Sequence, residues 1–167
     1  MPPLEWDEAY SLGIEEIDAQ HRTLIRRLRR LGEAIGAERP VETGKELRYL
    51  RQLVCEHFED EERWMEEAGY PGCAEHERSH RAAEALLDQA RRLLAETGLS
   101  LRFVSVVEEA ARWLDEHLRT DDLKLGRFRA ARENLRQLAS GQLATERLAP
   151  VAAAGVAPSR WAAAGKR

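Results

Sequence analysis

Five histidines and two acids carry the chemistry of this sequence. His21, His57, His76, His80 and His117 all fall on or at the edge of an apolar stripe with helical spacing, and so do Glu61 and Asp122. Glu61 follows His57 by four residues, as His80 follows His76, so each pair shares one helix face. Asp122 follows His117 by five residues, close to the same face but displaced by part of a turn. One histidine on an apolar face is more often a hydrogen-bonded core residue than a ligand. If an inward stripe takes about a third of helix positions, five land there by chance in under about one case in a hundred. A buried carboxylate costs several kcal/mol of desolvation unless it is paired, and a metal cation removes that cost. Seven donors exceed the four that zinc usually takes, so two six-coordinate ions are the better count. Imidazole suits iron, zinc, copper and nickel alike, whereas magnesium and calcium prefer oxygen.

The elements that must position these groups are helices. Ile17, His21, Leu24, Leu28, Leu31 and Ile35 alternate steps of four and three, which predicts a helix over about 15–37. Gly36, Pro40 and Gly44 then interrupt. A second stripe runs Leu47, Leu50, Val54, His57, Glu61, Trp64 and Ala68, ended by Gly69-Tyr70-Pro71-Gly72. A third runs His76, His80, Ala83, Leu87, Ala90 and Leu94 and stops at Thr97-Gly98. Ser100 is a candidate N-cap for the fourth, which reads Val104, Val107, Ala111, Leu114, His117 or Leu118, then Asp121 or Asp122. Nothing alternates with period two. The expected fold is all-α: an antiparallel, up-and-down four-helix bundle over 1–127. A C-terminal extension over 128–167 follows, with a fifth helical segment at Phe128, Ala131, Leu135 and Leu138 and then an Ala/Pro-rich tail from Leu148.

The chain has 167 residues, 43% hydrophobic and 34% charged, which is ordinary for one soluble domain. Its net charge of −4 gives no general reason to bind a polyanion, so nucleic acid is not an expected partner. No run reaches the roughly 20 apolar residues of a membrane span, and the first residues lack the basic start and apolar run of a secretory signal. A cytoplasmic address is expected. Cys55 and Cys73 are too few for a disulfide scaffold and are expected as free thiols.

The run Trp6, Gly13-Ile14 and Ile17-Asp18-Ala19-Gln20-His21 begins a longer pattern. His57-Phe58-Glu59-Asp60-Glu61-Glu62, Gly69-Tyr70-Pro71, His76 to His80, and Trp113-Leu114-Asp115-Glu116-His117 with Asp122 complete it. Together these resemble a bacterial hemerythrin over about residues 6–126. The resemblance implies a non-haem di-iron site. His76, His80 and His117 would hold one iron and His21 and His57 the other, with Glu61, Asp122 and an oxo or hydroxo group as bridges. It further implies that the second iron keeps a position open for dioxygen, and that Leu24, Phe58, Trp113, Leu114 and Leu118 line the pocket there, with Met65 similar. An imidazole-rich shell differs from the Glu-rich sets with Glu-x-x-His pairs of ferritin-like di-iron proteins and fits reversible binding better than oxidation chemistry.

One departure stands out. The family often has a tyrosine three residues after the bridging aspartate, and this chain has Leu125, so oxygen affinity or autoxidation is expected to differ. Asp60, Glu62 and Asp121 turn about 100° per residue away from the ligands and are expected on a solvated surface. The leading functional reading is reversible dioxygen binding for storage, transport or delivery, with no catalytic residue. The alternatives are an oxygen, redox or nitric oxide sensing module, and a di-iron peroxidase- or ferroxidase-like enzyme. A monomer is expected, and the C-terminal extension is the candidate contact for any protein partner.

Overall fold

A computed structural model describes residues 4–140. It contains a 3-10 turn at Glu8–Tyr10 and four helices: α1 (Glu15–Gly36), α2 (Pro40–Ala68), α3 (Cys73–Thr97) and α4 (Leu101–Ala139). No strand occurs among the described residues, and no helix there is long and apolar enough to cross a membrane. The helices form the expected four-helix bundle. The described residues divide into two units after Arg132. The expected tail from Leu148 lies outside the described residues.

The connections follow from local chemistry. Pro40 does not break α2 but begins it, because a proline at the first helical position gives up an amide that has no partner there anyway. Gly44 is taken into the first turns of α2. At the other end Gly69 sits at φ 64, ψ 44, the left-handed conformation that suits glycine. The Tyr70 amide then donates to the Met65 carbonyl at 2.9 Å and closes the helix. Ser100 caps α4 as expected, its Oγ accepting from the Phe103 amide at 3.2 Å.

The buried stripes match the expected ones with shifts of one residue. In α1 the buried residues are Ile17, Asp18, His21, Leu24, Ile25, Leu28, Leu31 and Ala34, with Ile35 only partly buried. In α2 Met65 is fully buried where Trp64 was expected, and in α3 Leu93 takes the place of Leu94. The expected fifth segment is the continuation of α4, which runs unbroken through Gly126. That glycine is buried against the N-terminal segment, where a Cβ would come within 3.3 Å of the Leu12 Cα. A close backbone approach, not a helix end, accounts for it.

The N-terminal segment is tied to the bundle by two polar anchors. Tyr10, 1% exposed, donates from its hydroxyl to Asp115 Oδ1 at 2.6 Å and accepts from Arg119 Nη2 at 2.8 Å, both on α4. Burial, then the Asp115 carboxylate, pushes the phenol up to about 12. Asp18, buried in the first turn of α1, accepts from Ser11 Oγ at 2.7 Å and from the Leu12 amide at 2.8 Å. Asp18→Ala strands that amide and hydroxyl, and should lower unfolding free energy by about 1–3 kcal/mol in urea titrations. A loss well below this range would show the anchor to be dispensable.

Candidate metal centre

Each helix brings its donors to one buried level of the bundle: His21 from α1, His57 and Glu61 from α2, His76 and His80 from α3, His117 and Asp122 from α4. All seven are at most 3% exposed. They form two groups whose donor atoms lie within 4.8 Å of one another, each able to hold a metal ion. One is Glu61, His76, His80 and His117; the other is His21, His57, Glu61 and Asp122. Glu61 belongs to both.

The carboxylates face both ways. Asp122 Oδ2 lies 3.3 Å from His21 Nε2, while Oδ1 lies 2.9 Å from His117 Nε2 and 3.2 Å from His76 Nε2. Glu61 Oε2 lies 3.2 Å from both His76 Nε2 and His80 Nε2 and 3.8 Å from His57 Nε2. Despite this crowding, Glu61 Oε1, His80 Nε2, His117 Nε2 and both Asp122 oxygens lack a partner in hydrogen-bond geometry. Buried polar atoms are rarely left so. His21 Nε2 and His57 Nε2 do meet at 3.2 Å, but donors that converge this closely with several atoms left over are what a metal pair requires, and the residues fit one.

Outside the donors, side chains hold the histidine rings. His57 Nδ1 lies 3.0 Å from Gln20 Oε1, whose amide nitrogen donates to Asp60 Oδ2 at 2.9 Å. His80 Nδ1 lies 2.9 Å from Glu62 Oε1, and Glu62 Oε2 accepts from Arg81 at 2.7 Å. His117 Nδ1 lies 3.3 Å from Ser79 Oγ and 3.5 Å from Asp121 Oδ2. An Nδ1–H donated outward leaves the Nε2 lone pair directed inward, the tautomer a metal needs. The expectation that Glu62 and Asp121 are solvated surface is therefore corrected: both are half-buried and both touch a candidate ligand, while Asp60 acts one step further out through Gln20.

Two aromatic rings lie flat on candidate ligands. Phe58 stacks on His80 at 3.7 Å and 4° and Trp113 on His117 at 4.4 Å and 19°. Phe58, Leu24, Leu114 and Leu118 are buried in one apolar cluster, and Trp113 packs partly buried against it. Met65 and Leu125 are also buried, so the family's tyrosine position carries an apolar side chain. The cysteines stand apart from the site. Cys73, which opens α3, has its thiol pushed up to about 11 by burial and the neighbouring Glu77, the reverse of activation. Burial likewise raises Cys55, beside Glu84.

The comparisons with known proteins agree with this geometry. The sequence model described as "Hemerythrin HHE cation binding domain" matches residues 12–128. The chain belongs to this hemerythrin family. It is 33% identical over 123 residues to a bacteriohemerythrin from Stenotrophomonas maltophilia, covering 73% of this chain and 78% of that one. A bacteriohemerythrin from Pseudomonas aeruginosa is 27% identical over 139 residues, covering 83% and 88% of the two chains. A myohemerythrin from Theromyzon tessulatum is 24% identical over 122 residues, covering 73% and 90%. A solved structure of a leucine-to-phenylalanine mutant superposes with TM-score 0.68 at 22% identity, covering 75% of this chain and 96% of that one, and supports the fold.

Charge in this hemerythrin-family site is finely balanced. Burial works against the charge of His117 and His76, but Asp122, Asp121 and Glu61 raise His117 to about 10, and Asp122 and Glu61 raise His76 to about 9. Burial dominates at His57 and lowers it to about 4. Burial and Asp122 push Glu61 up, yet the ring nitrogens of His76 and His80, each 3.2 Å away, hold it down at about 2. Both carboxylates thus favour a proton on His117 and on His76, and a metal bound at the same nitrogens would displace it. Loading a divalent ion to saturation at pH 7 should release about two protons, and apparent affinity should fall as pH drops. Titration in weak buffer with a pH indicator reads this; loading without proton release would contradict the assignment.

Proposed function

We propose that this chain binds dioxygen reversibly at a non-haem di-iron centre, with His76, His80 and His117 on one ion, His21 and His57 on the other, and Glu61 and Asp122 shared. The observation that carries the reading is the sharing itself: Glu61 belongs to both donor groups, and Asp122 turns one oxygen to each side. Iron is favoured by the family, and a donor set of five imidazoles and two carboxylates is compatible with it. When bound, two ferrous ions supply the two electrons that dioxygen takes up and returns.

The chain's own residues would keep that exchange reversible. Leu24, Phe58, Leu114 and Leu118, with Trp113 at the edge, exclude water and proton donors from the pocket. Leu125 adds no hydroxyl near the carboxylates. All seven donors come from one chain, so a monomer can hold the complete site. No nucleophile or general acid is needed, and the role that follows is storage, transport or delivery of oxygen rather than catalysis.

Anaerobic loading with ferrous iron, followed by visible spectra through cycles of air and deoxygenation, tests the proposal. The expected result is two irons per chain and a charge-transfer band that appears with oxygen and vanishes without it. A single irreversible oxidation would overturn the carrier reading.

A further inference from the structure

Three candidate ligand imidazoles have their outward Nδ1 held by a side chain, and the holders are of two chemical kinds. In the group of Glu61, His76, His80 and His117, carboxylate oxygens face the ring nitrogens: Glu62 Oε1 at 2.9 Å from His80 and Asp121 Oδ2 at 3.5 Å from His117, with the Ser79 hydroxyl at 3.3 Å. In the other group a neutral amide does so, Gln20 Oε1 at 3.0 Å from His57. Among the described residues, His21 Nδ1 and His76 Nδ1 have no hydrogen-bond partner. The outermost charges do not separate the groups. Glu62 pairs with Arg81 at 2.7 Å, Asp121 with Lys124 at 2.8 Å, and Asp60, behind Gln20, with Arg63 at 3.2 Å. The difference lies in the atom that touches the imidazole.

A carboxylate accepting from Nδ1–H makes Nε2 a stronger donor than an amide does. Resting on the two-ion reading above, we propose that the outer partners make the two positions unequal. The His76, His80 and His117 position fills first and holds its ion more tightly, with Glu62 as the positioning residue that sets this order, while Gln20 leaves the His21 and His57 position the weaker. The number of histidines alone, three against two, would give the same order. The inference is therefore separated from it by changing outer partners while every ligand stays in place.

Cobalt(II) isotherms on the full chain, followed by visible absorption against a competing chelator, provide the test, with circular dichroism checking the fold. Two binding steps are expected in the wild type. Glu62→Gln should weaken the first step by about 10–100-fold, and Glu62→Asp should restore part of it. In the double variant Gln20→Glu with Asp60→Asn the outer hydrogen bond is kept but a carboxylate faces His57. It should tighten the second step by about tenfold, a gain that a merely structural role could not produce. Should Glu62→Gln fail to fold, the double variant decides alone. Two bound cobalt ions with both steps unmoved in the variants would overturn the inference and leave the two-ion site standing. No saturable cobalt binding would overturn both.

Discussion

Two carboxylates and five imidazoles buried in an apolar bundle impose the constraint on which the rest depends. Each carboxylate loses several kcal/mol of hydration, and removing one partner of such a buried set costs about 3–5 kcal/mol. The set answers from within: Glu61 and Asp122 lie 3.2 Å and 2.9 Å from His76 and His117 and favour their charged forms. A metal bound here would couple folding to binding, since side chains that are costly in an apolar core would become cross-links between the helices. Because every helix contributes at least one donor, the site fastens the whole bundle.

The scaffold around it supplies precision. Outward contacts of the ring Nδ1 atoms to Gln20, Glu62, Ser79 and Asp121 select the ring tautomer, and the faces of Phe58 and Trp113 fix the planes of His80 and His117. Most of these contacts cross between helices: Gln20 on α1 reaches α2, Glu62 on α2 reaches α3, and Ser79 on α3 reaches α4. A displacement of one helix would therefore misalign donors on its neighbour as well as its own. The apolar cluster beside the rings is part of the bundle core, so the packing that stabilises the helices also surrounds the donors with apolar side chains.

Periodicity made the helices and the inward donors legible, because a stripe repeating every three or four residues is a property of one helix at a time. The donor set and the Ser100 cap were readable for that reason. Contacts between helices carry no such signature. Glu62 lies about 100° from the Glu61 direction, which reads as surface, yet its side chain bends back to His80 on the next helix. Asp18 was missed as a core residue because its partners, Ser11 and Leu12, lie in a segment with no pattern of its own. Pro40 misled in the opposite sense: a helix breaker by composition, it occupies the first helical position of α2. Gly126 makes room for Leu12 against an unbroken α4.

The central claim is that one buried cluster holds two ions, divided by Glu61 and Asp122. Anomalous diffraction from crystals of the iron-loaded chain tests it most directly. The account predicts two iron peaks, one enclosed by Glu61, His76, His80 and His117 and the other by His21, His57, Glu61 and Asp122. A single peak at full loading, or iron bound away from these residues, would contradict it.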